Sequence, residues 1–246
     1  MTTMQRTRTT DSAGRRPDPT RKTSLVVGWL FVITYVTSIA PKLGFYPPLL
    51  HTDYVLGSGQ DTRVLLGALS EMILIIANIG SAVALFSLLR RLHQNLALAF
   101  VTARVMESVF IAVGILDVLT LVSFRQDHTG TGDVAAARMI GDALTSMQVW
   151  TFNLGPGFVV GVGNGIILGY LMYRSRLVPR GLAMLGLVGG PLICLSGAAV
   201  VMGLIEPQSV VQNVASVPEF FWELGLGVYL IVKGFRPSPI TADLVS

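Results

Sequence analysis

The chain has 246 residues, of which 52% are hydrophobic and only 13% charged, with a formal net charge of +4 and a mean hydropathy of +0.64. A soluble domain carries about 25% charged residues, so half the expected polar coat is missing, which excludes a soluble globular domain and a disordered chain. Outer-membrane barrels alternate apolar and polar residues over segments of about ten residues. This chain instead carries long unbroken apolar runs, the mark of an all-α polytopic membrane bundle.

Residues 1–23 are rich in Thr and Arg and include Pro17 and Pro19. They cannot bury a core and read as a disordered basic tail. Six apolar spans are expected to follow, at about 24–40, 64–89, 96–124, 148–173, 181–205 and 217–235, each near or above the roughly 20 residues that cross the hydrocarbon. They make up one transmembrane domain over 24–236, ahead of a short tail at 237–246. In the first span Ser38-Ile39-Ala40 resembles a cleavage site, but Pro41 follows at once, so an uncleaved anchor is expected. The third span exceeds the length it needs and should tilt or project. The sixth is the weakest, because Glu219 and Glu223 lie in its first half.

Between the spans, 41–63 contains Pro47-Pro48 with Phe45, Tyr46 and Tyr54, a composition suited to the headgroup level. Over 125–147, Ile140, Ala143, Leu144 and Met147 recur at helical spacing, which predicts a short interfacial helix. The connections at 90–95 and 174–180 are short enough for tight antiparallel hairpins.

The basic residues follow topology. If the N-terminus is cytoplasmic, the inside segments hold thirteen of the eighteen Lys and Arg residues; the outside loops hold only Lys42, Arg63, Arg125 and Arg138. That is the positive-inside pattern. It predicts both termini in the cytoplasm, and it accounts for the basic excess without nucleic acid. The N-terminal tail should also be weakly attracted to anionic lipid.

In the fourth span Gly157, Gly161, Gly165 and Gly169 recur every four residues, and the fifth carries Gly186 and Gly190. Stripes of this kind let two helix backbones approach closely, and the short connection between these spans suggests that the two stripes meet. GVGNG at 161–165 follows no strand and sits in an apolar span, so it is not a nucleotide loop. Gly155-Pro156-Gly157 and Gly189-Gly190-Pro191 should bend or break their helices.

Catalytic and metal sites find no support. The lone Cys194 excludes a disulfide framework, a zinc ribbon and a redox pair. His51, His93 and His128 all read as loop residues, so no intramembrane Ser-His pair or haem site has a candidate. His51, Asp53 and Asp61 share one loop, but their irregular spacing suits a solvated loop better than a metal site. No cofactor is implied, and no internal repeat of the transporter kind is visible.

The ionisable residues within spans carry the sharper signal: Glu71, Arg104, Glu107, Asp117 and Glu223. Each costs at least about 2.5 kcal/mol at the bilayer centre unless paired or hydrated, so each should face the protein interior or water. Arg104 and Glu107 are one turn apart and can pair. Asn78 shares a face with Glu71, and Asn164 one with Asn153. The expectation is a buried polar cluster of Glu71, Asn78, Arg104, Glu107, Asn164 and Glu223, with Asp117 near the outer interface and reaching water. Three carboxylates against one guanidinium cannot all be neutralised by pairing, so at least one acid is protonated, hydrated or bound to something else.

Several stretches also resemble a known family. They are LLGALSEM at 66–73, NLALAFVTARVMES at 95–108, LGPGFVVGVGNGIILGYLMYRSRLVPRGLAMLGLVGGPL at 154–192 and FFWELGLGVYLIVKGF at 220–235. The chain resembles, over about 21–236, a family of bacterial multi-pass membrane proteins known as domain of unknown function 4386. The resemblance implies six spans and matches an acid after the second-span Gly (Glu71), an Arg and Glu pair (Arg104, Glu107) and a Trp-Glu (Trp222, Glu223). It implies a bacterial inner membrane as the location, and no activity. Two readings follow. In the first, a non-enzymatic bundle binds or passes a small solute or protons at the Arg and Glu cluster. In the second, the charges clasp the helices of a structural or interaction protein, with the Gly ladder assembling it with a second copy or another membrane protein. An intramembrane enzyme would need a nucleophile and base that the spans do not offer.

Overall fold

The computed structural model describes residues 19–50, 54–57, 60–127 and 133–238. The N-terminal tail before Pro19, His51, Asp53, His128 and the segment after Ser238 lie outside them. Six stretches are long and apolar enough to cross a membrane: Thr20–Phe45, Asp61–Leu89, Gln94–Asp127, Val134–Ser175, Arg180–Val201 and Val210–Val232. No strand occurs among the described residues.

The first span is helix α1 (Pro19–Ala40), extended by a wider π turn over Pro41–Phe45. It begins inside the stretch read above as tail. Helices α2 (Asp61–Leu89) and α3 (Gln94–Asp127) form a hairpin. The fourth span runs from α4 (Val134–Leu154) through π segments at Gly155–Val159 and Gly161–Leu168 into α5 (Gly169–Ser175). Helices α6 (Arg180–Val201) and α7 (Val210–Val232) complete the chain. Each span packs on the next in chain order, and α7 returns to pack on α1. The result is a closed ring of six spans. A Cβ on Gly28 would lie 2.8 Å from the Gly227 carbonyl oxygen, so a pair of glycines seals α1 against α7.

The structure refines three local expectations. The short interfacial helix is not separate: its residues are the first turns of α4, which runs into the span. Asp133 starts it, its carboxylate accepting from the Ala135 and Ala136 amides, so the apolar spacing continues unbroken into the bundle. The glycine-proline sites do not break their helices. At Gly155-Pro156-Gly157 the chain widens to π geometry, and at Gly189-Gly190-Pro191 α6 stays α-helical with Pro191 inside it.

A strict four-residue glycine repeat overshoots a 3.6-residue turn. Turns closed by i→i+5 bonds take up the excess, and α geometry resumes at Gly169. Asn153 and Asn164 both meet α7, at different points along it: the Asn153 side-chain oxygen accepts from Gln212 Nε2 at 2.7 Å.

The third concerns the segment after α1. Tyr46, Leu49, Tyr54 and Val55 are buried with Val64, Ile115, Val118 and Leu121 in a compact apolar cluster. They cap one end of the ring, and each tyrosine there donates to a carboxylate. Tyr46 donates to Glu71 Oε2 at 2.7 Å and Tyr54 to Asp61 Oδ1 at 2.9 Å. Asp61 is in turn held by Arg125, whose Nε donates to Oδ1 at 2.7 Å, with a second bond from Nη2 to Oδ2. Arg125 Nη1 also donates to the Gly57 carbonyl at 2.7 Å. Burial, reinforced by the hydrogen bond to Asp61, holds the Tyr54 phenol above its usual range, so it stays a donor throughout the physiological window. Arg125→Gln removes a bidentate partner of a half-buried carboxylate. It is expected to cost about 1–3 kcal/mol and to raise amide hydrogen exchange at 46–50 and 54–57 before exchange rises in α2.

The opposite end is basic. Arg21 Nη2 donates to the Ile231 carbonyl at 2.7 Å and Nη1 to that of Leu230 at 3.3 Å, satisfying the last carbonyls of α7. Gly234 then turns the chain at φ +75°, a left-handed position that glycine takes without strain. The Arg236 amide closes the end by donating to the Leu177 carbonyl at 2.8 Å.

Candidate functional site

Two apolar layers fill the ring. One contains Phe31, Leu85, Phe100, Leu168, Leu171, Leu226 and Leu230; the other contains Leu74, Ile111, Ile115 and Val118. Between them lies a polar layer. On α2 it falls at Asn78, between Leu74 and Ala82; on α3 it falls at Arg104 to Ser108, between Phe100 and Ile111.

Arg104 is completely buried. Its Nη1 donates to Glu107 Oε2 at 3.0 Å and sits 3.6 Å from Glu223 Oε1 of α7. Its guanidinium carbon lies 5.4 Å from the centre of the Phe31 ring of α1, within cation–π range. Asn78 Nδ2 donates to the Arg104 carbonyl at 3.3 Å and to Ser108 Oγ at 3.1 Å. From the π segment, Asn164 Nδ2 bridges two acids, donating to Glu223 Oε1 at 2.7 Å and Glu219 Oε1 at 3.2 Å. The fully buried Trp222 donates from Nε1 to the Asn164 carbonyl at 3.0 Å.

The structure therefore brings together Asn78, Arg104, Glu107, Asn164 and Glu223. It places Glu71 elsewhere, in the half of the bundle that Tyr46 caps. The third carboxylate of the layer is Glu219, only 3% exposed, which sequence reasoning had treated as a weakness of the sixth span. The signal was available: Glu219 and Glu223 are four apart on one helix face. Glu219 fits because two glycines face it. A Cβ on Gly189 would lie 2.5 Å from the Glu219 amide nitrogen, and one on Gly165 would lie 2.7 Å from Glu219 Oε2.

The glycine stripes supply that closeness. Gly161 faces Ile193, Cys194 and Gly190; Gly165 faces Gly190; Gly169 faces Leu187 and Gly186. Gly157 is the exception, its nearest neighbour being the Phe152 carbonyl of its own span. Gly186 leaves room for the Trp222 indole, whose Nε1 would lie 2.8 Å from an added Cβ.

The layer is not fully paired. Arg104 Nε and Nη2, Asn164 Oδ1, Glu219 Oε2 and Asn78 Oδ1 are buried without a hydrogen-bond partner. Donors and acceptors are thus both left open around one guanidinium, where an unmade bond is costly.

A second set of polar groups lies toward the tyrosine cap. Asp117, expected at the interface, is only 5% exposed, with Oδ2 unpartnered. It lines a cavity of about 20 Å³ with Tyr46, Thr145 and Gln148. An adjacent cavity of about 20 Å³ is lined by Glu71, Ser38, Gln148 and Thr151. Each is large enough for one water and offers it several polar partners. Gln148 lines both.

No curated protein and no solved structure matches the chain. A family model described as "Domain of unknown function (DUF4386)" matches residues 26–234. That match covers the last five spans whole, the first from residue 26 onward, and every residue of the polar layer, so the chain belongs to the DUF4386 family.

Proposed function

We propose that this protein handles protons, or a small polar solute that exchanges with them, at the Arg104 layer within the membrane. The observation that carries the reading is the imbalance at one point. Glu107 and Glu223 lie against a single guanidinium and Glu219 shares Asn164 with Glu223, while two guanidinium nitrogens and Glu219 Oε2 remain open. A surplus of negative charge at bilayer depth is expensive, and a proton or a bound solute would relieve it. The small cavities beside Glu71 and Asp117 extend the polar set toward the capped end. We also propose that the basic end faces the cytoplasm of a bacterial inner membrane, following the positive-inside pattern.

The test is thermal unfolding of the whole protein in lipid nanodiscs between pH 5 and 8, with a panel of ions and small solutes. A layer that retains an extra proton when folded makes the fold less stable as pH rises, by about 1.4 kcal/mol per pH unit for one proton. Glu219→Gln and Glu107→Gln should flatten that slope and abolish any solute-induced shift while leaving the helical content intact. The bridge from Arg104 of α3 to Glu223 of α7 favours a second reading, a clasp that only holds helices in register. A flat pH response in wild type, with a large stability loss in both variants, would select the clasp.

A further inference from the structure

The basic end of the ring carries a cavity that the polar layer does not use. It has a volume of about 170 Å³ and is lined by Thr20 and Thr23 of α1, Ser87 and Leu88 of α2, Arg90 and Arg91 of the α2–α3 turn, and Phe235 beyond α7. Three features define what fits it. First, its charge is of one sign: the segments 19–25, 86–96, 170–182 and 230–238 that form this end contain nine Lys and Arg residues and no Asp or Glu. Second, its polar groups suit phosphate: two guanidiniums that can fork onto oxygens, beside three hydroxyls. Third, its depth is set by the spans. Thr20 opens the first, Arg90 follows the end of the second at Leu89, and Phe235 follows the end of the sixth at Val232. The cavity therefore lies where apolar helix gives way to polar chain, the level of lipid phosphates.

The surface beneath it is apolar. Val26 lies one turn below Thr23 and Val83 one turn below Ser87, and they are 52% and 60% exposed. Further down, Gly80 leaves space filled only by Leu30, at 3.5 Å from an added Cβ. The seam between α1 and α2 can thus take an acyl chain under the phosphate.

We propose that this cavity is a binding site for the phosphate headgroup of an anionic phospholipid, with its acyl chain lying along the α1–α2 seam. Basic pockets at helix ends are a recognised setting for such headgroups. A free phosphate would find the same guanidiniums but would gain nothing from the seam.

Native mass spectrometry of the full-length protein, titrated with phosphatidylglycerol, phosphatidylcholine or inorganic phosphate, tests the proposal. Wild type should take up one phosphatidylglycerol well ahead of phosphatidylcholine, and millimolar inorganic phosphate should not displace it. Arg90→Gln with Arg91→Gln should weaken this binding on the order of thirtyfold; both side chains are exposed, so the fold should survive. Ser87→Leu, which fills the cavity without altering charge, should weaken it too. Arg174→Gln with Arg180→Gln removes the same charge from the same end outside the cavity and should leave it within about twofold. Equal losses in the two arginine pairs would overturn the site in favour of diffuse attraction. Full displacement by inorganic phosphate would overturn the lipid in favour of a soluble anion.

Discussion

Replacing Arg104 with Met is expected to cost about 3–5 kcal/mol of stability at neutral pH, the largest effect of any single substitution in the polar layer. The guanidinium is fully buried and is the positive group nearest Glu107 and Glu223. Met keeps much of the side-chain length and the contact with Phe31, so lost packing contributes little. What remains is a set of carboxylates without a counter-charge in a medium that cannot solvate them. The loss should therefore shrink as pH falls, because protonation removes the unbalanced charge. Unfolding of the variant in nanodiscs at pH 8 and pH 5 would show this directly. A deficit of the same size at both pH values would assign the loss to packing and not to charge. Arg104→Lys keeps the charge but gives up the fork geometry of the planar guanidinium, so it should recover only part of the stability.

Gly165→Ala is expected to be the most damaging change to the glycine stripes. The added methyl would overlap the Gly190 Cα and reach within 2.7 Å of Glu219 Oε2. Neither obstacle can yield without separating the fourth span from α6 or moving a buried acid. Overpacking of this kind costs about 1–3 kcal/mol, and the disturbance of Glu219 should place Gly165 at or above the top of that range. The series is graded. Gly169→Ala meets the Leu187 amide nitrogen at 3.1 Å and should cost less. Gly181→Ala meets nothing within 4 Å and should be neutral to slightly stabilising, since Ala is the better helix former. Melting temperatures of the three variants in one lipid composition check the order. If Gly165 and Gly181 behave alike, close backbone approach is not what holds these spans together.

Much of the layout was legible in the residues. The six spans, the tight turns and the segregation of basic residues follow from hydropathy and charge counted along the chain. The pairing of Arg104 with Glu107 follows from a three-residue spacing on one helix. Other features were not legible, for identifiable reasons. Glu71 and Glu107 look equivalent in sequence, but Tyr46 folds back from the segment after α1 and takes Glu71 as its own partner. Glu219 looked like a defect in an apolar span, because the notch that receives it is built by Gly165 and Gly189 from two other spans.

The sequence by itself determined that this is a six-span helical membrane protein with one basic end, because the length and apolarity of each span and the position of each charge are properties of the chain alone. It also required that ionisable groups at bilayer depth be buried together, since lipid cannot solvate them. Only the tertiary structure decided which groups those are. Ring closure through Gly28 and Gly227 brings α7 beside α1, and the widened turns of the fourth span aim Asn164 at two glutamates. The membership of a buried site depends on contacts between spans far apart in the chain, and a change of one π turn rotates an entire face.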